Sequence, residues 1–167
     1  YGIYGFVRVA DEIVDTFFGV DQQRALDDFE LATYQAIKDR YSSNIILHAF
    51  QFVVNTYSIE NHLIESFFSS MRSDLSKKKH SSETYDEYVY GSAEVVGLMC
   101  LRVFTKNDQK LYESLVKPAK KLGSAFQKVN FFRDIKEDFF EKGRTYFPGF
   151  EIEKNLNDVQ KSNIEDE

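Results

Sequence analysis

Apolar residues recur at helical spacing along nearly the whole chain, and no segment alternates with the period of two that a half-buried strand requires. Gly, Asn, Ser and Pro fall at the breaks, so the pattern predicts an all-α protein built from consecutive helices. A first helix is expected to run to about Phe18, with Gly19 as its C-cap and Asp21 starting the next. The second, about Gln22 to Tyr41, places Leu26, Phe29, Thr33, Ile37 and Tyr41 on one stripe. The third, about Ile45 to Tyr57, is apolar nearly all round and reads as a central buried helix. The fourth, about Glu60 to Ser76, carries Leu63, Ile64, Phe67, Phe68, Met71 and Leu75. After a Lys/Ser loop at Lys77-Lys78-Lys79-His80, Thr84 and Glu87 have capping-box spacing and open a helix through about Phe104. The pattern resumes at Gln109 and continues to about Lys142, with Pro118 as a kink or a new first turn and Gly143 as the stop. Tyr146 to Phe150 reads as an ordered loop.

With 167 residues, the chain suits a single domain with a real core. The 16 Phe and 10 Tyr should supply much of that core, because large rings bury much apolar area. A net charge of −6 argues against a nucleic-acid partner. Cys100 is the one cysteine, which excludes an internal disulfide and fits a small core residue in a reducing, cytoplasmic setting. No apolar run approaches the ~20 residues that span a bilayer, and no strongly basic amphipathic helix marks a membrane-docking face. Tyr1 to Val7 reads as if entered mid-helix and Asn155 to Glu167 as the polar start of another element, so the domain is expected to be part of a longer protein.

Two acidic segments oppose the helices that carry them. Asp11 and Asp15 lie four apart, as do Asp134 and Asp138, so each pair shares a helical face. Like charges at that spacing disfavour a helix by roughly 0.2–0.5 kcal/mol when exposed, and burial raises the cost. A cation between the pairs would remove the conflict. Gln127, Asn130, Asp134 and Asp138 follow in steps of three, four and four, forming a stripe of amide and carboxylate oxygens. Hard oxygen donors of this kind suit Mg²⁺ shared with substrate phosphate oxygens, and Arg133 and Lys136 stand beside the stripe as phosphate contacts. Arg8, Asp11 and Asp15 repeat the logic near the start, with Tyr4 a turn earlier. Either pair alone would read as a solvated helix face; together they point to a site.

These residues resemble the motifs of the squalene/phytoene synthase family, the head-to-head prenyl diphosphate condensing enzymes. Tyr4-x-x-x-Arg8-x-x-Asp11-x-x-x-Asp15 is similar to its first aspartate-rich motif. Gln127-x-x-Asn130-x-x-Arg133-Asp134-x-x-Glu137-Asp138 with Gly143-Arg144-x-Tyr146-Phe147-Pro148 is similar to the second. Tyr88-x-Tyr90-Gly91-Ser92-Ala93-x-x-Val96-Gly97 resembles the central helix whose small residues line the prenyl channel. Two positions depart from the pattern: Glu12 stands where Asp is common, and Glu94 where a small residue is common.

The resemblance implies an isoprenoid-synthase-type helical bundle around a cavity, with helices missing at both ends. Asp11, Asp15, Asn130, Asp134 and Asp138 are then the metal-ligand set; Tyr4 and Arg8 join the four Asp residues as catalytic candidates. Arg8, Tyr88, Ser92, Ala93, Val96, Gln127, Asn130, Arg133 and Tyr146 would bind substrate, and Tyr88, Phe6 and Phe131 would wall a carbocation. The implied reaction joins two geranylgeranyl diphosphates into phytoene. The alternatives are squalene or dehydrosqualene formation from farnesyl diphosphate, with NADPH for squalene, a terpene cyclase, and a non-catalytic assembly factor of the same fold. Prenyl diphosphates are the implied partners, with transient contact to the inner face of a membrane.

Overall fold

The structure, a computed structural model, describes residues 1–76 and 82–140, with side chains described for 1–76 and 85–134. The Lys77–His80 loop, the Thr84 side chain, Lys136, Asp138, Gly143 and Tyr146 therefore lie outside the described residues or side chains. Among the described residues there are seven α-helices and one π-helical turn, and no strand. They are α1 (Gly2–Asp15), α2 (Gln22–Asp39), α3 (Ile45–Tyr57), α4 (Asn61–Ser76), α5 (Ser82–Val89), the π turn (Tyr90–Glu94), α6 (Val95–Thr105) and α7 (Gln109–Phe140).

Local signals account for most boundaries. The Asp21 carboxylate accepts from the Arg24 amide at 3.0 Å, capping α2. Asn44 Oδ1 accepts from the Ile46 and Leu47 amides at 3.0 and 3.3 Å, capping α3. The chain then leaves α2 and α3 through left-handed residues, Arg40 at φ 55° and Ser58 at φ 52°.

The core is aromatic, as the composition led us to expect. Phe6 is fully buried and stacks on Phe50, with ring centroids 3.9 Å apart and planes within 4°. Phe67, Phe68 and Phe29 close round it at 5.2, 5.5 and 5.8 Å. This cluster joins α1, α2, α3 and α4, and α6 lies between α1 and α7, touching both. At the α6–α7 junction Arg102 pairs with Glu60, bonds Gln109 Oε1 at 2.8 Å and stands 3.4 Å over the Tyr112 ring.

Five expectations are corrected. The first helix stops at Asp15, leaving Phe17 and Phe18 exposed, so the apolar pattern outran the helix. Tyr41 lies beyond α2 and is exposed rather than on its buried stripe. The third helix buries Leu47, Phe50, Gln51 and Val54 on one face while Ile45 and Phe52 are exposed, so it is not enclosed all round. The long helix from the capping box begins at Ser82, with Thr84 already inside it, and is interrupted by the π turn. Pro118 sits within α7 and starts no new helix.

The π turn has a steric cause. A Cβ on Gly91 would lie 2.5 Å from the Ser66 carbonyl oxygen and 2.9 Å from Ser70 Cβ, so α4 crosses directly against it. Opposite, a Cβ on Gly123 of α7 would lie 2.8 Å from the Ala93 carbonyl oxygen. The widened turn is thus clasped between α4 and α7, and it carries Ser92 and Ala93 between them.

Candidate active site

On α1, Arg8 donates to Asp11 Oδ2 at 2.7 Å and also pairs with Glu12. Glu12, the first departure from the motif, thereby anchors the arginine alongside Asp11. Burial pushes the Asp11 pKa above the ordinary carboxylate value, the nearby Asp15 charge pushes it further, and Arg8 only partly offsets them. A raised folded pKa favours folding only at acid pH and loses its contribution as pH rises through it, so at neutral pH ionised Asp11 opposes folding. That is the conflict inferred from sequence, now with its causes.

On α7, Arg133 grips Asp134 with two bonds, Nε to Oδ1 at 2.7 Å and NH2 to Oδ2 at 2.6 Å. Gln127 and Asn130 are half-buried on the same face of α7. Phe131 is buried, its ring 6.0 Å from Tyr88 at 29° and 6.1 Å from Tyr85. Tyr88 in turn donates its hydroxyl to Asp74 Oδ2 at 2.9 Å, a buried bond that fixes the ring. Asp74 was missed from the sequence, since a single acid in the serine-rich end of α4 carries no spacing signal.

Tyr88 and Phe131 pack against each other and are both buried, and Phe6, expected as a third wall residue, lies inside the aromatic core, fully enclosed by other rings. Tyr4 is 72% exposed on α1. Val96 is half-buried against the core, and Ser92 Oγ is buried with no hydrogen-bond partner among the described residues. Glu94, the second departure, pairs with Lys120 of α7 at 3.0 Å, and that ammonium lies 4.8 Å from the Tyr90 ring centre. Its charge is satisfied by α7, so the substitution needs no place in a channel.

Among the described residues no three acidic, His or Cys side chains converge to hold a metal, and the Asp138 side chain is not among them. The donor set nevertheless fits a hard cation: Asp11, Asp15 and Asp134 carboxylates with the Asn130 amide are all oxygen donors, and Asp11 is destabilised by the like charge a cation would cancel.

Comparison with known proteins gives the family and the fold. The family model described as squalene/phytoene synthase matches residues 1–165. The chain belongs to the squalene/phytoene synthase family. It is 31% identical over 161 residues to the chloroplastic phytoene synthase of Daucus carota, covering 91% of this chain and 39% of that one. The 4,4'-diapophytoene synthase of Staphylococcus haemolyticus is 24% identical over 150 residues, covering 88% of this chain and 51% of that one. A solved dehydrosqualene synthase superposes with a TM-score of 0.74 at 27% identity, over 89% of this chain and 50% of the other. A squalene synthase from Alicyclobacillus acidocaldarius gives 0.75 at 26%, over 89% and 54%. The fold is thus of the isoprenoid-synthase type, and the chain spans between about two-fifths and one-half of the length of these relatives.

Proposed function

We propose that the protein of which this chain forms the described part condenses two prenyl diphosphates head to head with release of pyrophosphate, using geranylgeranyl diphosphate to make phytoene for carotenoid biosynthesis. The observation that carries this reading is the electrostatic conflict at Asp11 and Asp15, set in a family whose relatives include phytoene synthases. Asp11, Asp15, Asn130, Asp134 and Asp138 would hold Mg²⁺. When bound, the ion supplies positive charge that neutralises the diphosphate and the departing pyrophosphate.

The protein's own groups do the remaining work. Arg8 holds a guanidinium at the edge of α1 that can exchange Glu12 for a diphosphate oxygen, and Arg133 does the same from α7. Tyr4, Gln127 and Tyr146 add hydrogen bonds that orient the headgroups. The first diphosphate leaves with its bonding electrons, and the resulting allylic cation is attacked by the C2–C3 double bond of the second substrate. Loss of a proton then closes a cyclopropylcarbinyl diphosphate. The Tyr88 and Phe131 rings would offer negative faces to the cation, while Ser92, Ala93 and Val96 would keep the wall narrow and exclude water. Loss of the second pyrophosphate and rearrangement give a C1–C1′ linked cation, which loses a proton to become the neutral hydrocarbon.

A second reading, condensation of farnesyl diphosphate to dehydrosqualene or squalene, is favoured by the structural neighbours bearing those names. No helix among the described residues is long and apolar enough to cross a membrane, and we place the protein in the cytoplasm, touching the inner membrane face to meet its apolar substrate. Incubation with Mg²⁺ and each prenyl diphosphate, with and without NADPH, decides between products. Phytoene from the C20 substrate without NADPH is expected. Pyrophosphate release from neither substrate would leave a non-catalytic helical module.

A further inference from the structure

Helix α4 sets three residues against the segment that carries Tyr88, and packing explains only two of them. Ser66, Ser70 and Asp74 recur every four residues, so they share one face of α4. Gly91 crosses that face so closely that a Cβ on it would meet the Ser66 carbonyl oxygen at 2.5 Å and Ser70 Cβ at 2.9 Å. Asp74, one turn further along, accepts the Tyr88 hydroxyl at 2.9 Å. Tyr88 lies three residues before Gly91, so the close contact and the hydrogen bond lock the same stretch of backbone to α4.

The charge on Asp74 is what packing leaves unexplained. Asp74 is 8% exposed and Tyr88 6%, so the bond is made away from water. A buried carboxylate is costly to desolvate, whereas an Asn or Ser oxygen would accept the same hydroxyl at less cost. An anion adds polarisation: the bond to a charged acceptor is stronger, and it pushes electron density from the phenolic O–H toward the ring. A ring enriched in this way attracts a cation more than a phenol held by a neutral acceptor. We propose that Asp74 is a positioning residue for the carbocation, holding the Tyr88 ring at its 6.0 Å spacing from Phe131 and raising the electron density of its face. The proposal rests on the condensation reading, in which the Tyr88 ring faces an allylic cation, and it adds α4 to the helices that serve the site.

The test uses the full-length protein with Mg²⁺ and geranylgeranyl or farnesyl diphosphate, and reads hydrocarbon formation. Asp74→Asn keeps an acceptor oxygen in nearly the same shape and removes the charge, so it should lower kcat roughly tenfold and leave KM for the prenyl diphosphate and the Mg²⁺ requirement unchanged. Tyr88→Phe keeps the ring and deletes the hydroxyl, and it should lose at least as much. Adding Asp74→Asn to Tyr88→Phe should cost nothing further, because Asp74 acts through that hydroxyl. A merely structural acid would instead lower the melting temperature in both backgrounds and leave kcat of the folded enzyme alone. If Asp74→Asn melts too low to assay, Tyr88→Phe carries the test, and undiminished kcat in it overturns the proposal. Unchanged kcat in Asp74→Asn, a rise in KM or Mg²⁺ requirement in place of the fall in kcat, or a full further loss in the double variant would each overturn it too. An inactive parent would overturn the condensation reading and this proposal with it; an active parent with any of those results overturns this proposal alone.

Discussion

Asp134→Asn is expected to lower turnover at least about a hundredfold, since substitutions even one layer behind a metal ligand cost about 10–100-fold. The change is nearly isosteric, so the loss reads charge rather than shape. Asn keeps one acceptor but turns an amide toward the guanidinium that now grips both carboxylate oxygens at 2.7 and 2.6 Å, so Arg133 is also released. Arg133→Gln separates the two effects: it should raise KM for the prenyl diphosphate while leaving the Mg²⁺ dependence intact. Asp134→Asn should instead demand more Mg²⁺. Unchanged turnover of Asp134→Asn at limiting Mg²⁺ would remove this residue from the metal site.

Gly91→Ala should lower the melting temperature although alanine is the better helix former. The intrinsic gain is about 0.5–1 kcal/mol. Against it, the new methyl would sit 2.5 Å from the Ser66 carbonyl oxygen and 2.9 Å from Ser70 Cβ, and backbone at one of those points cannot swing aside. Forcing extra volume into such a contact costs about 1–3 kcal/mol, so the clash wins. The net loss corresponds to several degrees, at about 2–4 °C per kcal/mol in a chain of this size. Displacing α4 also shifts the turn bearing Ser92 and loosens the Tyr88–Asp74 bond, so activity should fall alongside stability. A melting temperature equal to or above that of the parent would show that α4 yields easily and that the π turn has another origin.

The helices themselves were legible because an amphipathic period survives translation into burial. Leu63, Ile64, Phe67, Phe68 and Met71, one stripe in the sequence, are all buried in α4. Caps with side-chain acceptors, Asp21 above all, were legible for the same local reason. What failed depends on neighbours. Phe17, Phe18, Ile45 and Phe52 extend an apolar pattern yet face outward, and nothing in their own segments distinguishes them from core. Phe6 was read as a cavity wall, but four other helical aromatics converge on it, and only the fold reveals their meeting. The π turn was invisible, because it needs the distance between Gly91 and α4.

The acidic pairs were the most conspicuous pointer to a candidate site, since two Asp residues four apart within apolar helices are a local contradiction. The structure adds that burial and Asp15 both push the Asp11 pKa up, which ties the contradiction to stability. Melting temperature with and without Mg²⁺ plus inorganic pyrophosphate tests this most directly. Without ligands, Asp11→Asn should melt at or above the parent, because an opposing charge is gone. With both ligands the parent should rise by mass action, while Asp11→Asn and Asp134→Asn should each rise far less. An equal ligand-induced rise in all three proteins would contradict a cation held between the two helices.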